Sequence, residues 1–505
     1  MSAERPNAPA PAPAPDSATA TASAPASAPI LTLSHEEITR IVLGLMLALF
    51  LAAVDQTLIS MSLLAMGRDL GGIDLMPWVM SGYLVASTIA TPIYGKLSDL
   101  YGRWPVMASA LVLYFIASLL ASIAQTMPQL IACRVFQGVS GGALIGLVQA
   151  SIADVAPGAQ RGRYQAYPSG VFATASIVGP LIGGLLTEYV SWRAIFLVNL
   201  PLGLIAFFLA RKALSRLPVN PRRPLPIDFA GGLLLAAGLG TLMIGLTRFG
   251  QSAGWTDPVS LGLFAGGLGI LLLFGLRERH APDPLIPLSL LAHPIVRGSM
   301  VILFLVFFSM LGQIVLLPMW LQALHGIGLE QVALRMLPFT LATPTGAAFA
   351  GRMMVKGLSL PRLMMIGLLG NSAATLALSL VNADAGWLVT AVMVVSGFTL
   401  GLALPTGLVV IQGSVPRAQM GVATATGALC RTLGGAVGVA MLTAILFASL
   451  GIAGSGGAEV LREAVASGAD AETLGASFQL TFRVIAVTSV IGALVAWRMP
   501  AGAGR

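Results

Sequence analysis

The stretch "IVLGLMLALFLAAVDQTLISM", residues 41–61, decides the architecture. It is a long apolar run, and about 20 mainly apolar residues in a helix cross the ~30 Å hydrocarbon layer of a bilayer. One carboxylate, Asp55, interrupts it. An ionised side chain near the middle of a membrane helix costs about 2.5–3.5 kcal/mol on insertion scales. A chain that accepts this cost has a use for the acid.

Composition agrees with the run. Of 505 residues, 56% are hydrophobic and 10% are charged, and the mean hydropathy is +0.88. Soluble domains carry about 25% charged residues, so a cytosolic fold would lack polar surface to cover its core. The net charge of +8 reads as an orientation signal, because the bases gather in loops on one side. The largest cluster, "RKALSRLPVNPRR" (211–223), is such a loop and can touch anionic headgroups. No basic run is interleaved with aromatics, so no nucleic-acid partner is expected. Cys133 and Cys430 lie in apolar segments, which excludes a disulfide framework and a zinc spacing. His35, His280, His293 and His325 are scattered and form no HExxH. No Walker loop occurs, and the strings GVSGG (138–142) and GQSAG (250–254) follow no strand and so form no nucleophile elbow; we expect no enzyme, no metal and no cofactor.

The runs continue along the chain. Fourteen candidate spans extend from 40–63 to 479–497. They are too long for strands and lack period-2 alternation, which sets a β-barrel aside. Lys and Arg are in excess on the side of the N-terminus, which puts both termini in the cytoplasm. A weak repeat links the halves: "APGAQRG" (156–162) resembles "VPRAQMG" (415–421) at an offset of 259. The same offset relates Gly138 to Gly397, Gly142 to Gly401 and Gly179 to Gly438. The fold class is therefore an all-α integral membrane protein. Its organisation reads as a disordered Ala/Pro-rich tail (1–35), a six-helix bundle (36–214), a linker with two inserted helices (215–297), a second six-helix bundle (298–498) and a short tail (499–505). Repeated bundles around a central site are the architecture of secondary transporters.

Within this frame, "GKLSDLYGRWPV" (95–106) joins spans two and three. It resembles the signature loop of the major facilitator superfamily, with Gly95, Asp99, Gly102 and Arg103 at the family spacing. Asp99 can face a helix N-terminus, and Arg103 can pair with a carboxylate across the cytoplasmic interface. An ordinary positive-inside hairpin is the plainer reading. The related loop "GRMMVKGLSLPRL" (351–363) keeps Gly351 and Arg352 but has no acid, so the latch is expected on one side only. "RVFQGVSGG" (134–142) resembles the family's second motif; Arg134 is either a buried functional cation or an arginine snorkelling to an interface. "GVFATASIVGPLIGG" (170–184) resembles the glycine/proline motif of drug:proton antiporters, through Gly170, Gly179, Pro180, Gly183 and Gly184. "SWRAIFLVNLPLG" (191–203), "LPMWLQALHGIG" (317–328) and "GVATATGALCRTLGGAVGVA" (421–440) are similar to the fourteen-span branch of that family. So is "DQTLISMSLL" (55–64), with Ser60 and Leu64 where the branch usually has Asn and Pro.

The resemblance implies a proton-coupled antiporter of the bacterial cytoplasmic membrane that exports amphipathic, cationic compounds and works as a monomer. Its partners would be the small-molecule substrate, protons and the bilayer, with the proton gradient in place of a cofactor. Asp55 would carry the proton, tuned by Arg134: burial favours the neutral acid and a nearby cation favours the carboxylate. A static Asp55–Arg134 pair is the alternative. Tyr83, Gln137, Gln313, Trp320, Gln322 and Arg431 are candidates for a substrate cavity, as is Trp78, although Trp78 and Trp320 also suit an interfacial belt. Two other functions stay open: a dedicated exporter of an endogenous metabolite or lipid-like product, and a non-transporting receptor or scaffold.

Overall fold

The computed structural model of the protein describes residues 34–71, 75–156, 161–215, 228–248, 257–281, 284–286, 288–325, 329–380, 386–416, 419–450 and 471–500. The Ala/Pro-rich segment, most of the basic loop 211–223 and the segment 458–470 lie outside them. The described residues are helical and contain no strand.

The first half holds α1 (His35–Leu70), α2 (Met76–Tyr101), α3 (Arg103–Ser122), α4 (Met127–Val155), the short α5 (Arg161–Gln165), α6 (Tyr167–Tyr189) and α7 (Arg193–Leu214). A hairpin of α8 (Phe229–Arg248) and α9 (Pro258–Glu278) follows, then the short α10 (Leu288–Ala292). The second half holds α11 (Pro294–His325), α12 (Leu329–Val355), α13 (Leu360–Leu378), α14 (Gly386–Gly413), α15 (Met420–Ser449) and α16 (Ala471–Trp497). Among the described residues, ten helices are long and apolar enough to cross a membrane. α2, α8, α12 and α13 are not among them. α2 is interrupted by Pro92, Lys96 and Asp99, α12 by Pro338, Pro344 and charges at both ends, and α13 by Arg362 and Asn371. α8 has a shorter apolar core, Ala230–Leu246.

Local chemistry sets the helix ends. Ser34 opens α1 with a capping box: its hydroxyl accepts from the Glu37 N–H at 3.2 Å and the Glu37 carboxylate accepts from the Ser34 N–H at 2.9 Å. Asp257 caps α9, accepting from the Ser260 hydroxyl at 2.6 Å and the Ser260 N–H at 3.0 Å, and these contacts hold its carboxyl below the usual carboxylate range. Between α2 and α3 the chain turns on one residue, Gly102, at φ 90°, a conformation that a Cβ disfavours.

The 259-residue repeat is visible in the helix crossings. A Cβ at Gly138 would strike the Tyr83 carbonyl and one at Gly142 the Ser87 carbonyl, so α4 lies against α2. Their mates Gly397 and Gly401 bring α14 onto the Phe339 and Thr343 carbonyls of α12 in the same manner. Small residues replace side-chain bulk where membrane helices must pack by close approach.

The inserted hairpin docks on one seam between the halves. Leu235, Leu239, Leu242, Met243 and Leu246 of α8 are buried against Val85 and Ile89 of α2 and Leu429 and Leu433 of α15. Arg277 pairs with Asp228 at 2.8 Å, which draws that carboxyl below its usual range and ties the end of α9 to the start of α8.

Candidate functional site

Asp55 is fully buried in α1. Arg134 of α4 donates to its Oδ2 at 2.5 Å and Asn199 of α7 donates to its Oδ1 at 2.7 Å. Arg134 also donates to Gln137 Oε1 at 2.8 Å and to the Val79 carbonyl at 3.3 Å. Its guanidinium carbon lies 4.4 Å from the Tyr83 ring centroid. Gln137 passes the chain on to Ser118 of α3 at 2.7 Å. Arg134 is buried within the bundle and does not snorkel to an interface. A buried ion pair is costly to desolvate and holds only when its remaining lone pairs and protons are satisfied; here the surrounding amides and hydroxyl do most of that.

The second half carries a cluster on the matching helices. Gln313 of α11 donates to Asn371 Oδ1 of α13 at 3.1 Å. Ser396 of α14 approaches Gln313 Oε1 at 2.5 Å and Asn371 Oδ1 at 2.8 Å. Asn371 donates to Ser489 of α16 at 2.9 Å. These side chains are buried and none is charged.

Gly179 and Gly183 let α6 close on α1 just past the acid. A Cβ at Gly183 would lie 2.6 Å from the Leu58 carbonyl, and one at Gly179 would collide with Thr57. Thr57 donates to the Ala175 carbonyl at 2.9 Å. Pro180 lies within α6, while Gly170 and Gly184 face open space. The side chains of Ser60 and Leu64 are outside the described set.

At the end of the bundle that holds His35, α2 meets α15. Asp99 accepts from the Gly421 and Val422 N–H groups, each at 3.0 Å, capping the first turn of α15. A Cβ at Gly95 would lie 2.8 Å from the Gly421 carbonyl. Arg103 bonds Asp99 at 2.9 Å, Asp154 at 2.7 Å, and the Ser98 hydroxyl. This corrects the expected geometry: Arg103 pairs within its own half, and Asp99 makes the crossing. Asp154, in the last turn of α4, is the second carboxylate on Arg103. The repeat-related contact has the same backbone approach without an acid, since a Cβ at Gly351 of α12 would lie 2.9 Å from the Gly162 carbonyl of α5. Gly162 and Gly421 are the mates in the repeated loop.

A cavity of about 370 Å³ lies between the halves, with walls from α1, α2, α4, α5, α6, α11, α12, α14 and α15. Phe172, Phe307, Met310 and Phe339 supply apolar surface, and Gln56, Gln149, Gln165 and Arg431 supply polar groups. Of the side chains expected there, only Arg431 is on the wall. Tyr83 and Gln137 belong to the Asp55 cluster, and Gln313 anchors the neutral one. Trp320 is buried edge-on against Phe482, centroids 5.6 Å apart; Gln322 and Trp78 are half-buried elsewhere. The physical reason is helix rotation, which turned these residues toward their own bundle. Asn199, Gln149 and Gln165 were missed. Asn199 stood in plain view as the one amide in "IFLVNLPLG" (195–203).

Two similar helical halves, a cavity between them and a buried acid next to a cavity residue, Gln56, define the fold class of a secondary transporter. A family model, the Major Facilitator Superfamily, matches residues 45–439, and the chain belongs to that superfamily. The chain is 31% identical over 415 residues to the multidrug transporter protein MdtP of Bacillus subtilis (strain 168), covering 82% of this chain and 76% of the relative. It is 30% identical over 402 residues to multidrug resistance protein 3 of the same organism, covering 79% and 78%. Among solved structures, human MFSD10 (TETRAN), an organic anion transporter, aligns with a TM-score of 0.65 at 18% identity, over 91% of this chain and 99% of that one; this likeness shows the fold alone. The protein is a multi-pass membrane transporter of the superfamily.

Proposed function

We propose that the protein is a fourteen-span, proton-coupled antiporter that exports amphipathic small molecules, with Asp55 as the protonation site. The observation that carries this reading is the Asp55 cluster: a fully buried carboxylate held by Arg134 and Asn199, beside a residue, Gln56, that lines the cavity. Fourteen of the sixteen described helices have 19 residues or more, in keeping with fourteen crossings. The relatives named as multidrug transporters support efflux as the direction. The protein works as a monomer in a bacterial cytoplasmic membrane with both termini inside, and the proton gradient drives it.

In this mechanism the contacts of Asp99 with α15 close the cytoplasmic end. A proton reaching Asp55 displaces Arg134 or Asn199, and α1 then shifts against α4 and α7. The cationic cargo implied by the family resemblance would need a carboxylate on the cavity wall, and both Asp55 oxygens are engaged inside the first half. Asp55→Asn is expected to fold and insert while losing proton-linked efflux from proteoliposomes. Wild-type proton flux in that variant would reduce the cluster to a static structural pair.

A further inference from the structure

The cavity wall carries one formal charge among the described residues, and it is positive. Arg431 of α15 stands with its guanidinium carbon 4.7 Å from the Phe307 ring centroid. Its Nη1 donates to Gln149 Oε1 at 3.2 Å, and its buried Nε has no hydrogen-bond partner. The other two buried arginines described above are neutralised: Arg134 by Asp55, Arg103 by Asp99 and Asp154. No carboxylate pairs with Arg431 among the described residues. A guanidinium offers five N–H donors in a planar fork suited to carboxylates, and one without a counter-anion in an apolar site is incomplete. A volume of about 370 Å³ falls in the range of small-molecule sites, roughly 300–1,000 Å³.

We propose that this cavity takes amphipathic molecules bearing a single anionic group, with Arg431 as the seat of that group. The direction of movement rests on the export reading above; the binding chemistry does not. The apolar part of the cargo lies among Phe172, Phe307 and Phe339, and its anion displaces Gln149 from the guanidinium. Gln149 is also joined to the seal between halves, because its carbonyl accepts from Gln165 Nε2 at 2.9 Å. Gln165 in turn reaches Gln412 of α14 at 3.2 Å. Cargo binding therefore bears on contacts that hold the halves together.

The test uses the full chain in nanodiscs with three probes on one ring system: 2-naphthoate, 2-naphthamide and 2-naphthylmethylammonium. Wild type is expected to bind naphthoate at least about tenfold more tightly than the amide, with the ammonium weakest. Arg431→Gln removes the preference for naphthoate over the amide, and Arg431→Lys keeps part of it. An ammonium probe bound as tightly as naphthoate, a preference that survives Arg431→Gln, or no binding of any probe overturns the proposal. If Arg431→Gln fails to fold, the wild-type ranking and Arg431→Lys decide. Proteoliposomes separate this proposal from proton coupling. In a one-for-one exchange, naphthoate leaving against an entering proton moves two charges, and the ammonium moves none, so an imposed potential drives only the first. Naphthoate binding without proton movement sinks the coupling and leaves the cavity chemistry standing. Proton-linked export of the ammonium with naphthoate ignored does the reverse.

Discussion

Each half of the molecule buries a polar cluster on the same set of helices, and the clusters differ in one property. Asp55, Ser118, Arg134, Gln137 and Asn199 join α1, α3, α4 and α7. Gln313, Asn371, Ser396 and Ser489 join α11, α13, α14 and α16. Ser396 occupies the repeat position of Gln137, but Met393 stands where Arg134 would be, and the α11 member of the cluster is the neutral Gln313. Both clusters tie their helices together through buried hydrogen bonds. Only the first contains charged groups. The halves thus share a scaffold, and one of them carries a buried ion pair on it.

The sharpest way to break this contrast is Arg134→Gln. It leaves a buried carboxylate with Asn199 as its remaining strong donor, and removing one partner of a buried pair costs about 3–5 kcal/mol. Thermal unfolding in detergent should show a large loss, with much of it restored in Asp55→Asn/Arg134→Gln. If the double variant is no more stable than the single, the two charges are not coupled. A smaller effect is expected from Gln313→Leu, about 1–3 kcal/mol for polar groups left unmatched, with proton-linked transport retained. Lost coupling in that variant would mean that the neutral cluster also takes part in the proton step. The smallest stability change belongs to the latch: Asp99→Asn weakens a helix cap worth about 1 kcal/mol and leaves the acid-free contact of Gly351 with Gly162 intact. Spin-label distances between the ends of α2 and α15 should broaden toward separation, while those between α12 and α5 hold. Equal broadening at both would show that the two contacts open as one.

Much of this was legible in the sequence, for identifiable reasons. Asp55 and Arg134 stood out because charges in an apolar run are rare and need partners. The offset of 259 found Gly162 and Gly421 before their shared role against Gly351 and Gly95 was visible. The neutral cluster was not legible, since a single Ser, Asn or Gln in a membrane helix is ordinary until four of them meet. Nor was the cavity wall, because one residue step turns a side chain by about 100° around a helix. Gln313 and Trp320 therefore point into their own bundle while Met310 and Ile314 line the cavity. The partner of Arg103 was misjudged because a loop's sequence does not say which neighbour lies closer.

The pairing of Asp55 with Arg134 also imposes an order on biosynthesis. Asp55 lies in the first helix, and its cation is 79 residues further along; Asn199 follows 144 residues after the acid. At about 5–20 residues per second of translation, the carboxyl waits roughly 4–16 s for its counter-charge. Until α4 has been made, the apolar residues 41–54 have to offset the about 2.5–3.5 kcal/mol that the unpaired acid costs in the bilayer. The second half has no such interval, because its neutral amides and hydroxyls can meet in any sequence without leaving a charge alone in lipid.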